Sequence, residues 1–106
     1  MEAIMKSRLV FIGAGPAAVT AVETLRTYDQ ESEVTMLSAE PYPPYSPPAM
    51  VDHFLRNSNA HLWLDDGWAD RLGVNYRQGI YVVRMDPQEK DVFTTADGSI
   101  SYDRLV

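Results

Sequence analysis

The sequence lacks cysteine, long apolar stretches and an excess of positive charge. Without cysteine, this segment has no disulfide, no thiolate zinc site and no thiol redox chemistry, which suits a reducing compartment. No stretch approaches the ~20 apolar residues of a membrane span. With 9 basic against 15 acidic residues, the net charge of −6 repels phosphate backbones. We therefore expect a cytoplasmic chain that binds neither nucleic acid nor membrane.

An apolar strand, a glycine-rich break and an amphipathic helix open the chain. Arg8–Ile12 is β-branched and aromatic and, after its arginine, apolar on both faces, as in a buried parallel strand. The glycine break that follows argues against a signal peptide. Apolar residues at helical spacing predict a helix over Ala17–Tyr28, and Glu33–Leu37 predicts a second strand. Together they form a βαβ unit, whose two strands run parallel.

The second half of the chain changes character. Leu62–Leu72 is predicted to be partly helical, with Gly73 as its stop. The remaining predicted strands are Val74–Tyr76, Ile80–Met85, Asp91–Thr95 and one that begins at Leu105. The expected fold class is α/β: a Rossmann-like parallel sheet with a crossover helix, followed by an antiparallel β-meander.

The predicted last strand has only its first two residues, Leu105 and Val106, in a chain of 106 residues. We expect a truncated domain whose first strand has an unpaired, apolar edge. Such an edge invites pairing with a second copy, so a homodimer formed through it or by strand exchange is the expected consequence.

The glycine break has the sequence Gly-Ala-Gly-Pro-Ala-Ala over residues 13–18. Gly13 permits a tight turn, Gly15 lets a pyrophosphate approach the backbone, and the small Ala18 lets the helix pack close to the sheet. The helix N-terminus offers amide donors and a partial positive charge to a diphosphate. The alternative is a sharp glycine turn that binds nothing.

A dinucleotide site also needs a ribose anchor near the end of the second strand. Glu40 is the acid in this window, 25 residues after Gly15. It can accept hydrogen bonds from adenosine ribose hydroxyls, or it can be a solvated loop glutamate. Ser38 occupies the usual position of the acid and is the alternative contact to the ribose or adenine.

Two segments carry a resemblance to a known family: Leu9-Val-Phe-Ile-Gly-Ala-Gly-Pro-Ala and Ser38-Ala-Glu-Pro-Tyr-Pro-Pro-Tyr-Ser-Pro-Pro-Ala-Met50. They resemble the start of FAD-dependent pyridine nucleotide-disulfide oxidoreductases, in the ferredoxin reductase, NADH oxidase and nitrite reductase-like branch. The likeness continues in order and spacing to Val106. It implies hydride transfer from NAD(P)H to FAD and on to an acceptor. It also implies that residues 1–106 are part of the FAD-binding domain, without the NAD(P)-binding domain.

The resemblance places the pyrophosphate at Gly13–Ala17, the adenosine ribose at Glu40 or its neighbours, and the adenine against the backbone of Val82. The proline-rich loop at Pro43–Pro48 would run beside the pyrophosphate towards the flavin. The residues that we expect to bind the cofactor are Gly13, Gly15, Pro16, Ala17, Ala18, Ser38, Glu40, Ser46, Pro47 and Val82.

The sequence also departs from the family pattern. Ser46 and Val51 stand where many members have an arginine near phosphate and a lysine near the flavin, and no redox cysteine is present. A flavin that reacts without a protein thiol is therefore expected.

His53 and His61 have no ligand-spaced carboxylates, so we expect no metal site and no catalytic acid or base in this segment. The chain alone is expected to be inactive. Two other functions stay open: a cofactor-holding or interaction module without turnover, and a small NAD(P)-binding Rossmann protein.

Overall fold

The computed structural model describes residues 7–40, 55–56, 67–96 and 98–106. Its elements are β1 (Arg8–Ile12), α1 (Pro16–Tyr28), β2 (Glu33–Leu37), α2 (Trp68–Leu72), β3 (Val74–Arg77), β4 (Val82–Asp86), β5 (Asp91–Thr94), β6 (Gly98–Ser101) and β7 (Arg104–Leu105). No helix in these ranges is long and apolar enough to cross a membrane.

The strands form two sheets. A four-stranded parallel sheet has the order β3-β2-β1-β7, and a three-stranded antiparallel sheet has the order β4-β5-β6. The expected α/β fold, with a Rossmann-like parallel sheet and an antiparallel meander, is confirmed. Of the helix expected over Leu62–Leu72, only Trp68–Leu72 is helical within the described residues, and 62–66 lie outside them. It ends at Gly73, whose φ of 64° is the left-handed conformation of a helix stop.

The parallel sheet is buried on both faces, as its continuous apolar strands predict. One face packs against the helices through Phe11, Met36 and the α1 residues Val19 and Val22. Val10 and Leu37 on the other face pack against the antiparallel sheet. The core is therefore two thin apolar layers, one on each side of the parallel sheet.

The prediction that β1 has an unpaired edge is wrong. Residues of β7 pair with β1 in parallel, with Leu9 opposite Arg104 and Val10 opposite Leu105. The pairing continues to the end of the chain, where the amide of Ile12 donates to the carbonyl of Val106 at 2.9 Å. Two or three residues suffice to occupy the outer hydrogen-bonding groups of a five-residue strand. The unpaired edge on which the expected homodimer rested is therefore not present.

Candidate functional site

The polar loops that follow the parallel strands meet at one edge of the sheet. Because parallel strands end at the same edge, the glycine turn after β1, the 38–40 turn after β2 and the 78–80 loop after β3 all lie there. We call this edge the carboxyl edge. In open α/β sheets it is the edge that binds ligands.

The turn between β1 and α1 depends on Gly13. Its φ of 106° is a conformation that residues with a side chain rarely adopt, and its amide donates to the carbonyl of Leu37 at 2.8 Å. The chain therefore leaves β1 abruptly while it stays bonded to β2. Gly15 differs, because its φ of −79° is open to any residue. Glycine at position 15 is thus not required by the backbone.

Gly15 and the start of α1 leave room for a ligand. A side chain at Gly15 would meet no atom of the described residues within 4 Å. Among the described residues, no side chain caps α1, no acid lies in its first turn, and Pro16 has no amide hydrogen. The first bond of the helix runs from the amide of Val19 to the carbonyl of Gly15, at 3.1 Å. The amides of Ala17 and Ala18 precede this bond, so they face the space in front of the helix.

The turn at residues 38–40 is fixed by hydrogen bonds on both sides. The amide of Ser38 donates to the carbonyl of Arg77 at 2.9 Å, and the carbonyl of Ser38 accepts from the amide of Ile80 at 2.9 Å. The carbonyl of Glu40 accepts from the amide of Gly79 at 3.0 Å. Glu40, which is half-buried, is therefore held at the carboxyl edge beside the loop after β3.

The structure places Val82 at the start of an edge strand. The amide of Thr95 donates to the carbonyl of Tyr81 at 3.0 Å, and Val82 is the next residue, opposite Thr94. In an antiparallel pair, bonded and non-bonded positions alternate, so the amide and carbonyl of Val82 point away from β5. They lie on the outer side of β4, just after the loop that bonds to Ser38.

The described residues thus bring eight of the ten expected site residues to one region: Gly13, Gly15, Pro16, Ala17, Ala18, Ser38, Glu40 and Val82. The other two, Ser46 and Pro47, lie outside the described residues. Sequence reasoning missed Gly79, whose amide supports the 38–40 turn, and Tyr76, which lies on the neighbouring strand β3. A glycine two residues after a strand is a weak signal for Gly79, and only the strand register brings Tyr76 near the turn.

An open hollow of about 510 Å³ lies at the opposite edge of the parallel sheet, between the end of α1 and the end of α2. Arg26 lines it, but its guanidinium already donates to the carbonyls of Leu72, Asp29 and Gly73. The guanidinium of Arg26 is therefore used to join the end of α1 to the end of α2. Among the described residues, no group of histidines and acids could hold a metal ion.

A parallel sheet with a glycine turn, an uncapped helix N-terminus and an acid at the end of the next strand defines a dinucleotide-binding α/β domain. The family model described as pyridine nucleotide-disulphide oxidoreductase matches residues 7–106. The chain belongs to this family.

Several known proteins are similar to this chain. The rubredoxin-NAD(+) reductase of Alcanivorax borkumensis is 29% identical over 101 residues, which cover 92% of this chain and 26% of that protein. The nitrite reductase [NAD(P)H] of Bacillus subtilis is 29% identical over 107 residues, covering 95% and 13%. The crystal structure of Fdr9 superimposes with a TM-score of 0.81 at 36% identity, covering 95% of this chain and 25% of that one. The chain thus spans about a quarter or less of the length of these relatives.

These findings confirm the expected family, and the enzymes of this family are FAD-dependent and use NAD(P)H. The ten cofactor-binding residues stay predictions.

Proposed function

We propose that this chain binds the adenosine diphosphate half of FAD, as the cofactor-binding part of an NAD(P)H-dependent flavin oxidoreductase. The observation that carries the proposal is the open space in front of α1, between the glycine turn and the 38–40 turn. Nothing in the described residues fills this space, and the groups around it are those that a nucleotide diphosphate needs.

The pyrophosphate would lie in front of α1. The amides of Ala17 and Ala18 would donate to it, and Gly15 would allow it to approach the backbone. The helix dipole adds a partial positive charge at this point, so an acidic chain can still bind an anion here.

The adenosine would lie across the ends of β2 and β4. The carboxylate of Glu40 would accept hydrogen bonds from the ribose hydroxyls, and the outward amide and carbonyl of Val82 would contact the edge of the adenine. Ser46 and Pro47, in the proline-rich loop, would continue the site towards the flavin. When bound, FAD supplies the hydride chemistry, and the protein supplies binding and orientation.

Turnover belongs to the longer protein. The chain spans only 26% of one curated relative and 13% of another, so we propose that it holds the cofactor without reducing it. The NAD(P)-binding domain and the electron acceptor site would lie elsewhere in the complete enzyme. The antiparallel sheet favours this assignment over a small NAD(P)-binding protein, in which helices and strands would keep alternating.

The test is a titration of the purified chain with FAD, followed by the flavin absorption and fluorescence. We expect ADP to compete with FAD, because the proposed contacts are made to the ADP half. FMN, which lacks that half, should bind much more weakly, and NAD+ should bind less tightly than FAD. Tighter binding of NAD+ would support the small NAD(P)-binding protein instead.

Two variants at one position test the pyrophosphate contact. Gly15 is the N-cap of α1 in an extended conformation, which asparagine and aspartate favour, so Gly15→Asn and Gly15→Asp should both fold with unchanged stability. The asparagine side chain fills the ligand space and should weaken FAD binding about tenfold, or about 1.4 kcal/mol. The aspartate adds a negative charge beside the diphosphate and should weaken it by about another tenfold.

The pair is isosteric, so their difference isolates charge. A Gly15→Asp variant that folds normally and binds FAD as tightly as the unchanged chain would contradict the proposed pyrophosphate position.

A further inference from the structure

Ser38 faces the interior, although it occupies the usual position of the ribose anchor. It is only 6% exposed. Its hydroxyl oxygen accepts a hydrogen bond from the amide of Glu40, with an N–O distance of 3.2 Å. A hydroxyl with this burial and this partner supports the turn.

The side chain of Ser38 is close enough to the hydroxyl of Tyr76 to lower the pKa of this tyrosine. Tyr76 lies opposite Met36 in the pairing of β2 with β3, and Ser38 follows Met36 by two residues. Because side chains of a strand alternate between faces, Ser38 and Tyr76 share one face of the sheet. The register of two strands therefore brings a tyrosine under the turn that carries Glu40.

Tyr76 is itself fixed. Its ring meets the buried ring of Trp68 edge-on, with 5.2 Å between the centroids and an angle of 61°. Burial raises the pKa of Tyr76, the side chain of Ser38 lowers it, and the charge of Glu40 raises it. The hydroxyl is therefore neutral at physiological pH and lies within electrostatic reach of the Glu40 carboxylate.

We infer that Tyr76 is a positioning residue for Glu40, acting through the hydroxyl of Ser38, and that it sets the preference of the site for nucleotides with intact ribose hydroxyls. Trp68 holds Tyr76, Tyr76 orients the Ser38 hydroxyl, and this hydroxyl fixes the amide of Glu40. The inference rests on the proposed function, because it takes Glu40 as the ribose contact.

A carboxylate discriminates between ligands only when its position is fixed. If the 38–40 turn loosens, Glu40 still attracts hydroxyl donors but no longer holds one geometry, so the benefit of the ribose hydroxyls falls. Contacts to the pyrophosphate and the adenine stay the same. The signature of the positioning role is therefore a loss of ribose preference without a loss of affinity for a nucleotide that has no ribose hydroxyls.

The experiment compares ADP with 2′,3′-dideoxy-ADP in competition with FAD on the full 106-residue chain. The unchanged chain should prefer ADP by about tenfold, the value of one good hydrogen bond to a charged group. Glu40→Gln should remove most of this preference. Tyr76→Phe, which keeps the ring against Trp68, should reduce it about threefold to fivefold and leave dideoxy-ADP binding unchanged.

Two further variants distinguish an effect that passes through the Ser38 hydroxyl from a general loss of stability. Ser38→Ala should match Tyr76→Phe, and the double variant should lose no more than either one, because the two hydroxyls act as one unit. Tyr28→Phe is the matched control, since Tyr28 is 79% exposed at the far end of α1. It should leave both nucleotides unaffected.

Hydrogen exchange of the backbone amides, without any nucleotide, gives an independent readout. Tyr76→Phe should speed the exchange of the Glu40 amide at least about threefold, because its acceptor on Ser38 is released, while Tyr28→Phe should not. An unchanged exchange rate of Glu40 overturns the inference whatever the nucleotides do. Faster exchange with an unchanged preference for ADP overturns the role in ribose selection.

The two proposals fail in different ways. If the unchanged chain binds neither FAD nor ADP, the proposed function fails and takes ribose selection with it, while hydrogen exchange still decides whether Tyr76 holds the turn. A different result is that FAD and ADP bind, that Glu40→Gln loses the preference for ADP over dideoxy-ADP, and that Tyr76→Phe keeps this preference. In that case the proposed function stands and this inference is wrong.

Discussion

The two edges of the parallel sheet differ in how far side chains take part in their hydrogen bonds. At the carboxyl edge, most ties are between backbone groups, such as the amide of Gly13 to Leu37 and the amide of Gly79 to Glu40. At the amino edge, where the strands begin, backbone bonds such as that from the amide of Glu33 to the carbonyl of Ser7 are supplemented by several side-chain bonds. Asp29 accepts from the amides of Glu31 and Ser32 and from the Ser32 hydroxyl, which in turn accepts from the amide of Ser7.

The same contrast holds for the charged groups. At the amino edge, Arg8 and Asp103 bind each other, and the amide of Arg8 also donates to Asp103 at 2.7 Å. At the carboxyl edge, no side chain in the part of the chain that the structure describes caps the start of α1. Side-chain polar groups at the amino edge therefore join strand to strand, whereas the helix amides at the carboxyl edge remain available. We infer that one edge mainly stabilises the fold and the other mainly binds the cofactor.

The largest expected effect is at Gly13, because a change there should lower both the stability of the fold and the affinity for FAD. Gly13→Ala forces a side chain into a backbone with a φ of 106°, which costs about 1–3 kcal/mol in the free energy of unfolding. The relief of this strain would shift the turn that aims the amides of Ala17 and Ala18, so FAD binding should fall about tenfold or more. Urea unfolding and FAD titration measure the two effects.

Gly98→Ala is the control for Gly13→Ala. Gly98 also has a positive φ, of 73°, and a side chain there meets nothing within 4 Å, but it lies in the β5–β6 hairpin. It should lower stability to a similar extent and leave FAD affinity unchanged in the folded chain. Equal losses of affinity in the two variants would show that binding depends on stability alone.

A smaller effect is expected at Arg26, in the amino-edge hollow. Arg26→Ala removes donors to the carbonyls of Leu72 at 2.6 Å and of Asp29 and Gly73 at 3.1 Å each. Because these carbonyls are partly solvated, we expect a loss of about 1–2 kcal/mol in the free energy of unfolding. FAD affinity should stay within about twofold, since the hollow lies at the edge away from α1's N-terminus.

Arg26→Lys sharpens this prediction. A lysine ammonium cannot span three carbonyls as a planar guanidinium does, so it should recover only part of the lost stability. If Arg26→Ala weakened FAD binding as much as Gly13→Ala while stability stayed the same, the proposed separation between the two edges would be wrong.

The sequence predicted the parallel half of the fold closely. The bounds of Arg8–Ile12 and Glu33–Leu37 are those of β1 and β2, because a buried parallel strand is a short apolar run that glycine or polar loops interrupt. The strand expected to begin at Ile80 begins at Val82 instead. Ile80 bonds to Ser38 across the carboxyl edge, a contact that no local pattern contains.

The long-range contacts were harder to predict. Local patterns indicated a strand near Leu105 as the neighbour of β1, but not that so few residues would pair with it, with Arg8 bonded to Asp103 across 95 residues of sequence. At the site, the glycine turn and Glu40 follow from spacing along the chain, whereas the contact between Tyr76 and Ser38 depends on the register of β2 with β3. Spacing is visible in one sequence; register is set by packing.

The smallest expected effect is acid sensitivity at the amino edge. Hydrogen bonds from Ser32 and Glu31 lower the pKa of Asp29, and the hydrogen bonds and charge of Arg8 lower the pKa of Asp103. In the folded chain both carboxyls therefore bind protons less readily than in the unfolded chain, where an aspartate has a pKa of about 3.9. Their contribution is complete above that value and is lost as the pH falls through the lower, folded-state pKa values.

Urea unfolding of the chain at pH 7, 5, 4 and 3 measures this loss, and Asp29→Asn/Asp103→Asn isolates it. The double variant should be less stable than the unchanged chain at pH 7, because a neutral amide is a weaker acceptor for these donors. The difference should shrink below about pH 4, where the unchanged chain loses the same charges. A constant difference down to pH 3 would mean that these two carboxylates do not titrate with folding. The acid response of the amino edge would then come from other acids of the chain.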